Sequence, residues 1–240
     1  MNNLHRSILA GTAVLAFGLM YSGETQATPW QNGDVAAFGQ GQWGSSGTAA
    51  AALLSDKFNS VYASMGGVFL VGDLSKYSIQ IDTADAIIAY LPQSNPPGVL
   101  PATYFDPGLT PSGSFGGNVV ALKLDVDFAD AGVLLGTSGI PFGNLILANF
   151  TTLTNLNGLT VRQLLADANS CLGGDVCIDS ATDLDPIIFS LNGAFEAGPT
   201  DFAQIHLVAP TTTSVPEPSS FMLFSAALAG LGFSRRKRKL

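Results

Sequence analysis

The sequence predicts an α+β fold: a compact secreted domain of several short helices and a small antiparallel sheet, flanked by an N-terminal signal helix and a C-terminal transmembrane helix. Three observations predict it. Stretches with apolar residues at helical spacing are interleaved with shorter ones in which apolar and polar residues alternate. Uncharged apolar runs occupy 7–21 and 221–233, one near each end. Between them, residues 28–215 suffice for one domain or two small ones.

Residues 1–6 carry His5 and Arg6, 7–21 are apolar, and 22–27 are polar and end in Ala27. That is the order of a secretory signal peptide. Cleavage is expected after Ala27, with Thr25 at the −3 position. An uncleaved anchor is the alternative, and two apolar ends also permit a two-span membrane protein.

The secreted domain is expected over 28–208. Residues 30–47 are rich in Gly, Gln and Ser around Trp30, Phe38 and Trp43, and read as an irregular or strand-like entry. Residues 45–48 supply caps for a helix over 49–62, where Leu53, Leu54, Phe58 and Val61 recur at helical spacing. Gly66 and Gly67 break to a strand at 68–71. Tyr77, Ile79 and Ile81 mark a second at 77–81, paired as a hairpin across 72–76. Asp82 or Thr83 caps a short helix over 84–90, ended by Pro92. Residues 93–117 are dense in Pro and Gly and read as a long loop, a possible domain seam.

Residues 118–131 stay open between strand and helix. Leu122, Leu124, Val126 and Phe128 alternate with Lys123, Asp125 and Asp127, whereas Val120, Leu124 and Phe128 fall at i, i+4. A strand is expected at 145–148. A helix follows over 161–172, with Val161, Leu164, Leu165 and Ala168 on one face and Gly173-Gly174 as its stop. The next helix is expected over 183–195, capped by Thr182 or Asp183, with Pro186 in its first turn. Its buried face would be Ile187, Ile188, Leu191 and Phe195. Residues 202–208 form a last short element, and 209–214 a Thr-rich linker. Segments 121–132 and 158–174 resemble segments that recur in secreted bacterial proteins of unassigned role. That resemblance implies a helix at 121–132 and brings no activity.

Loss of both ends distorts the charge balance. The chain has 10 Lys+Arg and 18 Asp+Glu; without its ends it keeps Lys57, Lys76, Lys123 and Arg162 against 16 acids, a net charge of −12. So acidic a body is a poor partner for nucleic acid or anionic lipid. It suits calcium, a hard cation that prefers carboxylate oxygen. In an exported chain Cys171 and Cys177 are expected to form a disulfide, since the enclosed loop holds Gly173 and Gly174.

The last 26 residues combine Val215-Pro216-Glu217-Pro218, an apolar run, and five cations at 235–239. Residues 219–233 would span ~22 Å as a helix. Bilayer thinning and snorkelling of the flanking cations bridge the shortfall. The cations hold their end in the cytoplasm. A buried helix with a solvated basic tail is the alternative. Residues 215–240 closely resemble the PEP-CTERM sorting signal of Gram-negative bacteria, matched at Pro216, Glu217 and Pro218, the apolar run, and the cations. The resemblance implies recognition by exosortase, a membrane-embedded cysteine-type transpeptidase, after transient inner-membrane insertion. It implies cleavage near Pro216–Pro218, then a cell-surface or extracellular location. Such proteins typically come from bacteria that make exopolysaccharide and live in biofilms or flocs.

No catalytic residue is assigned. His206 is the one histidine left after maturation, and no Gly-x-Ser-x-Gly elbow accompanies it. Asp125 with Asp127, or Asp183 with Asp185, are nominal carboxylate pairs for glycoside hydrolysis. Asp175, Asp179, Asp183 and Asp185 are candidate calcium ligands, though they lack the EF-hand order; a solvated loop with capping aspartates is the alternative. Trp30, Phe38, Trp43, Tyr77, Tyr90 and Tyr104 offer either a sugar-stacking platform or core. The expectation is a non-enzymatic extracellular-matrix or surface protein without cofactor other than possible calcium. Exosortase is the expected partner, with extracellular polysaccharide as a second candidate. The alternatives are a carbohydrate-binding module and a polysaccharide hydrolase.

Overall fold

The structure, a computed structural model, describes residues 28–210. The signal helix, the transmembrane helix and the Pro216–Pro218 motif expected from the sequence lie outside the described residues. Among the described residues no helix is long and apolar enough to cross a membrane.

In chain order the elements are α1 (Gln40–Trp43), α2 (Ala49–Tyr62), β1 (Phe69–Gly72), β2 (Ser78–Ile81), α3 (Ala84–Tyr90), β3 (Tyr104–Phe105), α4 (Gly113–Asp130), β4 (Ile146–Leu147), α5 (Val161–Leu172), α6 (Ala181–Asn192), α7 (Asp201–His206) and β5 (Leu207–Val208). The fold is mixed α+β. The expected single antiparallel sheet is instead two small sheets, and one pairing is parallel. β1 and β2 pair antiparallel, β3 adds to β2 in parallel, and β4 pairs antiparallel with β5.

α4 is the centre. It settles the open segment 118–131 as helix and starts inside the stretch read as a loop to 117. Along α4, Phe115, Val119, Val120, Ala121, Leu122, Leu124, Val126 and Phe128 are all buried. A helix apolar on every side belongs in an interior. That is also why its pattern mimics a strand: no polar stripe reveals the turn. α6, α5, α1 and β1 pack around it. Gly117 admits Gln40, because a Cβ there would collide with the Gln40 carboxamide.

Local chemistry sets most helix ends. Thr48, Thr83 and Thr160 each accept the backbone N–H three residues on, which starts α2, α3 and α5 at the expected residues. Thr160 and Gln163 complete a capping box. α6 differs from expectation. Its cap is Ser180, it begins at Ala181 and ends at Asn192, and Pro186 lies inside it rather than in the first turn. Asp183 sits at the third helical position, where its N–H donates to Ser180 Oγ and its carboxylate accepts from that hydroxyl. The entry segment gains the single turn α1, and 202–208 divides into the end of α7 and β5.

Candidate functional site

The described body has two contrasting ends, joined by α5. At the first, the chain leaves. Trp30 N donates to Gln204 Oε1 at 3.0 Å, and Gln204 Nε2 donates back to Trp30 O at 2.8 Å. The Trp30 indole N–H donates to Leu207 O at 2.8 Å, and its ring meets Phe195 edge-on at 5.6 Å. The beginning of the described body is thereby stapled to its last strand. β5 is further held by β4 through Leu147↔Leu207 and Ile146↔Val208. An open hollow of about 830 Å³ lies here, lined by Thr28, Trp30, Asp34, Gln204 and Val208 among others. His206 belongs to this end: its ring stacks on Phe150 at 4.3 Å and Nδ1 lies 2.9 Å from Ala148 O. That contact is structural and presents no nucleophile.

α5 starts at this end, where Val161 N donates to Leu145 O at 2.9 Å. Its 12 residues carry the chain ~18 Å away. There Asn169 Oδ1 accepts from Gly72 N at 2.9 Å, and Leu172 O accepts from Leu100 N at 2.9 Å. The Cys171–Cys177 disulfide expected from the sequence closes the loop that follows. A Cβ on Gly173 would come within 2.6 Å of Asp73, so the loop presses directly on the β1–β2 turn. Lys76 Nζ donates to Gly174 O at 3.2 Å and pairs with Asp175 at 2.7 Å. That ammonium pulls the Asp175 carboxyl below its ordinary pKa. Leu74 is 73 % exposed, Tyr77 41 %, Val99 43 % and Val176 85 %.

The candidate calcium ligands are spread over separate tasks. Asp175 pairs with Lys76, Asp179 accepts from Asn155 Nδ2 at 2.6 Å, and Asp183 closes on Ser180. Asp185 accepts from Ser114 Oγ and Asn118 Nδ2, both at 2.8 Å, tying α6 to α4. Among the described residues no group of three or more His, Cys, Asp or Glu side chains is placed to hold a metal.

The nominal carboxylate pairs are likewise committed. Asp127 pairs with Lys123 at 2.8 Å. Tyr62, buried beside Asp127, has its phenol pKa pushed up by burial and by that carboxylate. Asp125 is fully buried. Its Oδ1 accepts from Phe38 N at 2.9 Å and from Trp43 Nε1 at 3.1 Å, while Oδ2 has no partner. Burial raises its pKa well above the ordinary carboxyl range; the two donors oppose that, and nearby Glu196 adds to it. Glu196 itself accepts from Gly39 N at 3.1 Å and Gln42 Nε2 at 3.0 Å. Both carboxylates clamp residues 38–43 to the body.

The aromatics do not form one platform. Trp43 and Tyr90 are core, Phe38 packs edge-on against Trp43, and Trp30 serves the staple. Tyr77 alone of the six is exposed, among the residues of the remote end.

The beginning and the end of the described body thus lie at one place. Residues 214–239 match the PEP-CTERM protein-sorting motif. The chain is thus a substrate of the exosortase sorting route, exported and passing through the membrane before cleavage. No curated protein and no solved structure matches it.

Proposed function

We propose that the mature body is a non-enzymatic structural or interaction protein of the extracellular polymer layer, delivered to the cell surface or matrix once exosortase removes its tail. The remote end supports this reading. Exposed apolar side chains there are fixed by a disulfide and an ion pair, on the far side of α5 from the strand through which the body is tethered. A rigid apolar surface pointing away from the attachment point suits contact with other matrix components.

A carbohydrate-binding reading is favoured by one observation, the half-exposed Tyr77 ring beside Asp73, Ser75 and Lys76. Sugars stack on such rings while flanking polar groups take the hydroxyls. A glycan screen on the mature protein, with and without calcium, tests it. Binding that Tyr77→Ala abolishes supports carbohydrate recognition, and no binding to any exopolysaccharide returns the balance to protein contacts. For the sorting step, Glu217→Ala is expected to accumulate full-length, membrane-retained precursor on immunoblots. Normal tail removal from that variant would refute the role given to Pro216–Pro218.

A further inference from the structure

We propose that the exit face of the body, carrying Trp30, Gln31, Gln204 and Val208, is the surface that meets exosortase during cleavage, and that the Trp30 staple fixes how far the cleavage site stands from that face. The inference rests on the reading of Pro216–Pro218 as the processed motif.

The argument is one of reach. β5 is held on one side by β4 and on the other by the Trp30 indole, so the body keeps its grip on the chain through Val208. From Pro210 to Glu217 is a step of seven residues, at most ~25 Å when fully extended. A folded body of this length has a diameter of about 40 Å. An enzyme bound at the motif therefore cannot stand beside the remote end. It must approach within the first ~25 Å of the exit, onto the face where both body ends emerge. The apolar run beginning at Phe221 is at most ~40 Å from Pro210, so the membrane lies on the same side.

The face suits a protein surface passing close by. Gln31 and Gln204 are exposed and uncharged, and Trp30 and Val208 are half-buried. Asp34, the acid beside them, is half-buried at the surface, where it accepts from Gln31 N at 2.7 Å and from Thr137 Oγ1 at 3.3 Å.

The staple gives the spacing a consequence. Were β5 free to peel away, α7 and β5 would add their length to the tether and the exit face would lose its meaning. With β5 fixed, only residues 211–215 separate Pro210 from the motif along the chain.

The test uses the full chain in cells with the cognate exosortase, read by immunoblot as the ratio of precursor to mature form. Deleting 211–214 is expected to slow processing by roughly tenfold, because the tether no longer spans body and catalytic site. Replacing the same four residues by Gly-Ser-Gly-Ser should leave processing unchanged. Adding Trp30→Ala, Gln204→Ala and Val208→Pro to the deletion should restore processing to within about threefold, by breaking both the staple and the β4 pairing that hold β5. Protease resistance of the released body checks that the deletion leaves it folded. Normal processing of the deletion overturns the inference, as does loss of processing in the Gly-Ser replacement or a deletion that stays blocked once β5 is freed. Normal processing of Glu217→Ala would instead remove the sorting reading beneath it, so the two failures are distinguishable.

Discussion

The two ends of α5 are secured by different chemistry. At the exit end, neutral hydrogen bonds and apolar contacts join residues 174 positions apart, Trp30 and Gln204. At the remote end, a covalent link across six positions and a half-exposed ion pair stiffen a local loop. A long-range staple exists only in the folded state, so it reports global folding. A disulfide acts mainly by restricting the unfolded chain. One end is thus a sensor of the whole fold, and the other keeps its local shape even when the rest loosens.

Substitutions can separate these roles. The largest effect is expected from Trp30→Ala, which removes a half-buried ring and the indole bond to Leu207. A loss of ~3 kcal/mol, with faster hydrogen exchange at Leu207 and Val208 but not in β1–β2, would uphold the comparison. Uniform loosening of both ends would break it. Replacing Cys171 and Cys177 by Ala should cost at most ~2–3 kcal/mol and open the loop after Leu172 to proteolysis while the exit end stays protected.

Asp125 links the entry segment to the centre and titrates in an informative direction. Its folded pKa is raised, so from pH ~4 upward to that value the folded state holds a proton that the unfolded state has lost. Stability therefore falls as pH rises through that window. Asp125→Asn keeps the acceptor for Phe38 N and Trp43 Nε1 and does not titrate. Thermal melts should coincide near pH 4, and at pH 8 the variant should melt above the wild type. Equal pH profiles would show Asp125 to be ionised in the fold. The smallest effect belongs to Lys76→Met. Its pairing with Asp175 is so exposed that the melting temperature should barely move, and any shift should vanish in high salt.

Where neighbouring residues carry the signal, the sequence reads well. Helices α2, α3 and α5 start where expected because Thr48, Thr83 and Thr160 lie next to the turns they cap. α6 reads less well, since Pro186 favours a later start and a cap at Thr182 or Asp183, whereas the geometry selects Ser180. α4 is ambiguous because burial on all sides erases the polar stripe that separates a helical from a strand period. The disulfide is legible from its spacing. The exit staple is not, because nothing local to Trp30 points to Gln204. The four aspartates between 175 and 185 look like one cluster in sequence only. α6 begins among them, and each then meets a different neighbour: Lys76, Asn155, Ser180 and Asn118.

α4 has a further consequence for the order of events in the cell. Its apolar sides are covered by α1 near the beginning of the body and by α6 near its end. Until residue 192 is available, no stable interior can close around it. The body therefore takes its shape only once nearly all of it is present, and a chain cut short before α6 leaves α4 with an open apolar side.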